Sequence, residues 1–292
     1  MAITDSSPRP RILVAGCGKL GGAIATRLLS RADVFGLRRN PGQVPDGVTG
    51  IGADLTRQDT LAGALPSHLD VVIYCLTPSR YDDAGYRAAY VDGLANLLSA
   101  LKHSGNGPLH RLFFISSTSV YAQDDDSEVN EDSPTEPRRF SGRCVLEGER
   151  LALGSGHPAT VVRFSGIYGP TRGRFLEEVM AGRLAPTAPA PYSNRIHEVD
   201  AARVVEHLAT LALGGQTLAP VYVASDNEPV RLDVVVDWVR GEVPCAPPAE
   251  DAHTGGRAGS KRCSNQRLRD TGFVFNYPNF RAGYREMISA LS

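Results

Sequence analysis

Arg11-Ile-Leu-Val-Ala-Gly-Cys-Gly-Lys-Leu-Gly-Gly-Ala-Ile-Ala-Thr-Arg-Leu-Leu29 decides the reading of this chain. Ile12 to Ala15 is an apolar run long enough for a buried strand. Gly16-x-Gly18-x-x-Gly21 follows, and then Leu20, Ile24 and Leu28 fall at helical spacing. Strand, glycine turn and helix in that order form the context in which three spaced glycines point to a dinucleotide site. Gly16 permits the tight turn, Gly18 lets the backbone approach a pyrophosphate, and Gly21 lets the helix pack close to the strand. The unpaired N–H groups of the helix N-terminus then face the phosphates. The alternative is a glycine-rich turn with no ligand.

The same alternation continues outward. Strand patterns at Asp33–Arg39, Val48–Ala53, Asp70–Leu76, Arg111–Ser116 and Ala159–Phe164 are interleaved with helical ones at Asp83–Leu101 and Arg143–Leu153. This predicts an α/β fold, a doubly wound parallel (Rossmann) sheet covered on both faces, over residues 11–169. Residues 170–292 change character and read as a smaller substrate-binding lobe, free to exchange elements with the first. Prolines dominate Pro170–Tyr192, a helix follows Asp200 as its N-cap, and Pro220–Ala224 is a strand. Leu232–Val239 is a helix, Gly241–Gly259 a mobile loop, and Gln266–Leu291 a helix, turn and helix around Gly272 and Pro278. Ligands of such sheets sit beyond the carboxyl ends of the strands, so a cleft between the halves is expected.

Composition narrows the function. With 292 residues and net charge −1, nothing points to nucleic acid or an anionic membrane. No apolar run is long enough to span a bilayer. Residues 1–10 are polar, lack an apolar signal core and read as a disordered tail. The five scattered cysteines contain no Cys-x-x-Cys pair, so no disulfide framework or metal site is expected, and the setting is cytoplasmic. Lysine is scarce: only Lys19, Lys102 and Lys261 occur.

The second strand ends Phe35-Gly-Leu-Arg-Arg-Asn40, with no acidic residue to accept from a ribose 2′-OH. Arg38 and Arg39 suit a 2′-phosphate through charge-assisted forks, which favours NADP, with NAD second. A solvated arginine pair is the other reading. Asp54 is placed either to meet the adenine or to serve its own turn.

Phe113-Phe-Ile-Ser-Ser-Thr-Ser-Val-Tyr121 resembles the Ser-Ser-x-x-Val-Tyr segment of the extended short-chain dehydrogenase/reductases, the NAD-dependent epimerase/dehydratase family. Asn130-Glu-Asp-Ser-Pro134, Arg163-Phe-Ser-Gly-Ile-Tyr-Gly-Pro170 and Ile196-His-Glu-Val-Asp200 are similar to that family's later segments, in order. The resemblance implies an oxidoreductase-type reaction in which a Ser or Thr, a Tyr and a Lys work beside the nicotinamide. Its cofactor set here comprises Gly16, Gly18, Lys19, Leu20 and Gly21 in the turn, and Arg38 and Arg39 after the second strand. Asp54, Leu55, Leu76 and Ser116 complete it at later strand ends. Ser117 matches the family's serine and would hold the substrate oxygen, assisted by Thr118 or Ser116. A nucleotide sugar is the substrate class so implied, and a homodimer pairing Asp83–Leu101 with Arg143–Leu153 is the assembly.

The Tyr-x-x-x-Lys pair is missing. Aligning Gly142 and Glu149 with the family places Ser141 and Val145 at its two positions; a shift by one places Phe140 and Cys144 there. Neither register supplies a phenol or an amine, and no lysine lies near this helix in sequence. Tyr90 replaces the family's Asn. The pattern is that of an atypical branch, leaving two functions open. One is an enzyme with a non-standard acid–base pair, with Ser117 and Ser141 as its catalytic candidates. The other is a catalytically silent dinucleotide-binding sensor or partner-binding protein. Cys17 reads as a small turn residue, His197 and Asp200 as a structural pair, and Tyr121 and Tyr168 as packing residues. Arg172, Arg174, Arg183 and Arg195 are candidates for a diphosphate.

Overall fold

The computed structural model describes residues 8–255 and 259–291. Residues 1–7 of the tail expected over 1–10 and part of the expected loop, 256–258, lie outside them. Arg9 donates to the carbonyls of Leu29 and Ala32 at 2.6 and 3.0 Å.

Strand β1 (Arg11–Ala15) leads through the glycine turn into helix α1 (Lys19–Leu28), which buries Gly21, Ile24, Ala25 and Leu28. Strands β2 (Asp33–Arg38), β3 (Thr49–Gly52) and β4 (Val71–Tyr74) follow. Helices α2 (Asp83–Arg87) and α3 (Gly93–His103) are joined by a π-helical turn at Ala88–Asp92. Next come β5 (Arg111–Ser117), the short β6 (Glu128–Val129) and α4 (Phe140–Leu153), which begins three residues before the expected Arg143. Strands β7 (Ala159–Phe164) and β8 (Gly166–Tyr168) precede a helix the proline-rich sequence hid, α5 (Arg174–Met180). The rest is β9 (Tyr192–Ser193), β10 (Arg195–His197), α6 (Glu198–Leu213), β11 (Val221–Ala224) and β12 (Val230–Arg231). Helix α7 (Leu232–Glu242), β13 (Arg262–Cys263), α8 (Gln266–Arg269) and α9 (Phe280–Ser289) close the chain.

The main sheet has seven strands in the order β11-β7-β5-β4-β1-β2-β3. Pairings of β1 with β2 and β4, of β2 with β3, and of β4 with β5 are parallel. The order reverses between β1 and β4, and the carboxyl ends flanking such a reversal are where ligands bind in this architecture. Ile12, Leu13, Val14, Ala15, Val71, Val72 and Ile73 are all fully buried, so these strands read as continuous apolar runs.

Contacts divide the chain into two units. The first contains residues 1–115, 147–161 and 205–220; the second contains 116–146, 162–204 and 221–292. The second unit has its own core, in which Val179, Val235, Val236 and Val239 pack with Phe280 and Tyr284.

The break in the α2–α3 helix has a local cause. Gly93 N–H donates to Ala88 O, five residues back, and the Tyr74 hydroxyl donates to Ala89 O at 2.5 Å. A Cβ on Gly93 would lie 2.5 Å from that hydroxyl. A side chain thus enters the helical ladder where a glycine admits it, the usual origin of a π turn.

Asp200 is not an N-cap. Helix α6 starts two residues earlier, and the fully buried Asp200 carboxylate takes three donors: Arg203 Nη1 at 2.5 Å and the N–H groups of Asn276 and Tyr277 at 3.1 and 2.7 Å. It ties the first turn of α6 to the segment entering α9.

Candidate functional site

The first unit holds a pocket of about 330 Å³ at the sheet's reversal. Gly16 and Gly18 line it from the turn, Arg38 and Arg39 from the end of β2, Asp54 and Leu55 from beyond β3, and Leu76 from beyond β4. Lys19, Leu20 and Gly21 lie in the first turn of α1 and Ser116 near the end of β5, outside this lining. Cys75, Thr77 and Ser79, also in the lining, were missed, because their place follows only from the β1–β4 pairing. Ala88 and Ala89 bring the π turn to the same wall.

The three glycines separate into two roles. Gly16 has φ +98°, and a Cβ there would lie 2.5 Å from Cys75 O. A Cβ on Gly21 would lie 2.3 Å from Gly16 O. Both are required by the fold itself. Around Gly18 a Cβ meets nothing within 4 Å. Gly18 is also the N-cap of α1, and no side chain caps the helix, whose N-terminus is the end that suits an anion. Open space and a helix start without a side-chain cap fit a pyrophosphate.

Arg38 is committed to its own chain. It donates to Gln43 O at 2.8 Å, Gln43 Oε1 at 2.6 Å and Cys17 O at 3.2 Å. Arg39 is exposed at the pocket and has no side-chain partner among the described residues. The Asp54 carboxylate accepts from Thr56 N–H at 3.0 Å and Thr56 Oγ1 at 2.7 Å, forming its own turn while lining the pocket.

A second pocket, about 410 Å³, belongs to the second unit. Ser119, Tyr121, Asp124, Arg138, Arg139 and Ser141 line it, with Gly259. Gly142 makes this possible: a Cβ there would lie 2.5 Å from Ser119 O and 2.6 Å from Pro137 Cβ, so the start of α4 sits directly on the turn after β5. Ser141 and Ser119 therefore face one space. Ser117 Oγ accepts from Ser119 N–H at 3.1 Å and caps that turn. Val145, where the family carries its lysine, is buried. Arg138 and Arg139 are exposed, with no side-chain partner among the described residues.

Cys17 is fully buried, and burial pushes its thiol pKa up. Tyr121 donates to Asn130 O at 2.7 Å and accepts from Arg163 at 2.8 Å. The Tyr168 ring lies against His197 and Tyr284, at centroid distances of 5.2 and 4.6 Å. His197 is buried and stacks on Tyr277 at 3.7 Å, and burial lowers its pKa. Of the four arginines, Arg195 is buried among the rings of Phe175, Phe280 and Tyr284 and is not available to a diphosphate. Arg172 lies 3.8 Å from Glu198 and Arg174 2.8 Å from Glu178, while Arg183 is exposed.

The profile of the NAD dependent epimerase/dehydratase family matches residues 12–188. A solved structure from Methylobacillus flagellatus, described as an NAD-dependent epimerase/dehydratase, is 34% identical, with a TM-score of 0.80 over 98% of this chain and 99% of that one. The Thermus thermophilus UDP-glucose 4-epimerase, in complex with NAD, shares the fold at 20% identity and a TM-score of 0.74, over 96% and 98%. A Streptomyces antibioticus protein named as a dTDP-4,6-dihydroxy-2-methyloxan-3-one 4-ketoreductase is 31% identical over 44% of each chain. The match thus spans less than half of that relative. Among the described residues no helix is long and apolar enough to cross a membrane.

Proposed function

The chain belongs to the NAD-dependent epimerase/dehydratase family, and from that premise we propose that it binds NADP(H) and transfers hydride on a nucleotide-sugar-like carbonyl or hydroxyl without the usual Tyr–Lys pair. One observation carries this reading: the open space at Gly18, the uncapped α1 N-terminus and the unpartnered Arg39 share one pocket. Gly16, Gly18, Arg39 and the loop after β4 would hold the dinucleotide, whose nicotinamide supplies the hydride chemistry. In the second unit, Ser141 and Ser117 would orient the substrate oxygen, and Arg138 and Arg139 suit a substrate carrying phosphate. The same family reading includes a homodimer through α2, α3 and α4, which sedimentation measures.

The absent phenol and amine favour the silent binding protein as the second reading. Absorbance of the reduced nicotinamide separates the two. NADPH should be consumed with a dTDP-4-dehydro-6-deoxyhexose, or NADP⁺ reduced with UDP-glucose or dTDP-glucose. Binding of NADPH without turnover of any of these identifies the silent protein.

Selectivity for the 2′-phosphate rests on Arg39. One charge-assisted contact contributes ~1.5–3 kcal/mol, so NADPH should bind about tenfold or more tightly than NADH. Arg39→Ala should remove that preference and leave NADH affinity unchanged. Rising salt should shrink the preference, because the guanidinium is exposed. Equal affinities in calorimetric titration of the wild type would return Arg39 to the role of a solvated arginine.

A further inference from the structure

We propose, resting on the function above, that the pocket carrying Ser141 takes a sugar acid, with Arg138 and Arg139 on its carboxylate and Asp124 on its hydroxyls. The substrate would then be a nucleotide sugar whose sugar ring itself bears one negative charge.

The two arginines stand directly before α4, and that helix holds their backbone. Arg143 N–H donates to Arg139 O at 3.1 Å, and Arg143 Nη1 donates to Arg138 O at 2.8 Å. The Arg143 guanidinium is thereby engaged. Those of Arg138 and Arg139 are exposed in the pocket lining and have no side-chain partner among the described residues. A tethered backbone that carries two unengaged guanidinium groups is preorganised for an anion, because less ordering remains to be done on binding.

Asp124 stands in the same lining and is also held in place. Ser260 N–H donates to its Oδ1 at 2.7 Å, and a Cβ on Gly259 would lie 3.3 Å from that oxygen. All of these residues belong to the second unit. Lys261 is 3% exposed and lies outside the lining. Arg231 and Arg262 are bonded to Asp126, through its carboxylate and its carbonyl respectively.

Phosphate and carboxylate both suit guanidinium groups, and Asp124 decides between them. The lining carries two positive side chains and one negative, a balance of one positive charge. One carboxylate neutralises it. A phosphate monoester carries about −1.5 to −2 at neutral pH and would leave its second charge unpaired beside Asp124. Like charges brought together in a binding site cost affinity. A planar carboxylate also matches the guanidinium fork. Asp124, which only accepts, has acceptor positions beyond the one that Ser260 takes, and these suit the hydroxyls of a sugar.

Three sugars that differ only at carbon 6 test the charge: glucose is neutral there, glucuronate a monoanion and glucose 6-phosphate a dianion. Binding is followed by NMR on the arginine Nε–H resonances, with Arg138 and Arg139 assigned through their Gln variants, and neither cofactor nor turnover is needed. Glucuronate should shift both signals and bind about tenfold or more tightly than glucose, the worth of a charge-assisted contact. Arg138→Gln and Arg139→Gln should each reduce that preference. Glucose 6-phosphate should bind the wild type more weakly than glucuronate does. In Asp124→Asn the order should reverse, because asparagine keeps an acceptor for Ser260 N–H and removes the negative charge. Glucuronate bound no better than glucose overturns the proposal, as does a preference that survives both Gln variants. A wild type that already prefers glucose 6-phosphate, or an order unchanged by Asp124→Asn, overturns it too. The function above fails separately. A protein that binds the three sugars in this order yet turns over none of the nucleotide sugars named above keeps the site and loses the hydride transfer. One that turns them over without this order keeps the hydride transfer and loses the site.

Discussion

Gly18→Val is expected to weaken NADPH binding about a hundredfold or more while leaving the melting temperature within a few degrees of wild type. The two halves of this expectation come from different atoms. A Cβ at position 18 meets nothing within 4 Å in the protein, and the backbone there has no positive φ, so folding tolerates the side chain. In the proposed binding mode a pyrophosphate would approach the N-terminus of α1 through the same volume. Displacing it costs two or more charge-assisted hydrogen bonds at ~1.5–3 kcal/mol each, which is a hundredfold or more in affinity. Gly16→Ala is the contrasting control. Its Cβ would sit 2.5 Å from Cys75 O at φ +98°, so that variant should lose stability first. Calorimetric titration beside a thermal melt reads both quantities. A folded Gly18→Val protein that binds NADPH normally would remove the dinucleotide from this pocket.

Asp200→Ala should be the most destabilising of these single changes, by about 3–5 kcal/mol, the usual cost of removing one partner from a buried ion pair. Its carboxylate is fully buried and holds Arg203 and two backbone N–H groups. Alanine would strand both N–H groups without an acceptor and leave Arg203 only its bond to Val274 O at 2.9 Å. For a chain of this size each kcal/mol shifts the melting temperature by roughly 2–4 °C, so a fall of roughly 6–20 °C is expected. Asp200→Asn keeps one acceptor and should lose less. A melt of Asp200→Ala within 2 °C of wild type would show that the junction of α6 with the segment before α9 does not depend on this residue.

The strands and most of the helices were legible because their signals are local. Ile12–Ala15, the Val-Val-Ile-Tyr run at 71–74 and the spacing of Leu20, Ile24 and Leu28 each reflect burial of consecutive or periodic side chains. The seven-residue α5 was hidden because it is short and sits amid prolines and glycines. Asp200 was mistaken for a cap because an acid at a helix start has the same local pattern whether it caps its own helix or binds a segment 76 residues away.

The sequence alone determined the glycine turn between β1 and α1, the parallel sheet, the lack of an acidic residue after β2, and the absence of a Tyr-x-x-x-Lys pair, since each is a matter of which residue types stand at fixed short spacings. Only the tertiary structure decided that Arg38 is spent on Gln43 while Arg39 has no side-chain partner among the described residues, and that Arg195 is buried among aromatic rings. A hydrogen bond or an ion pair is satisfied by whichever partner the fold brings within about 3 Å, and chain separation carries no information about that distance.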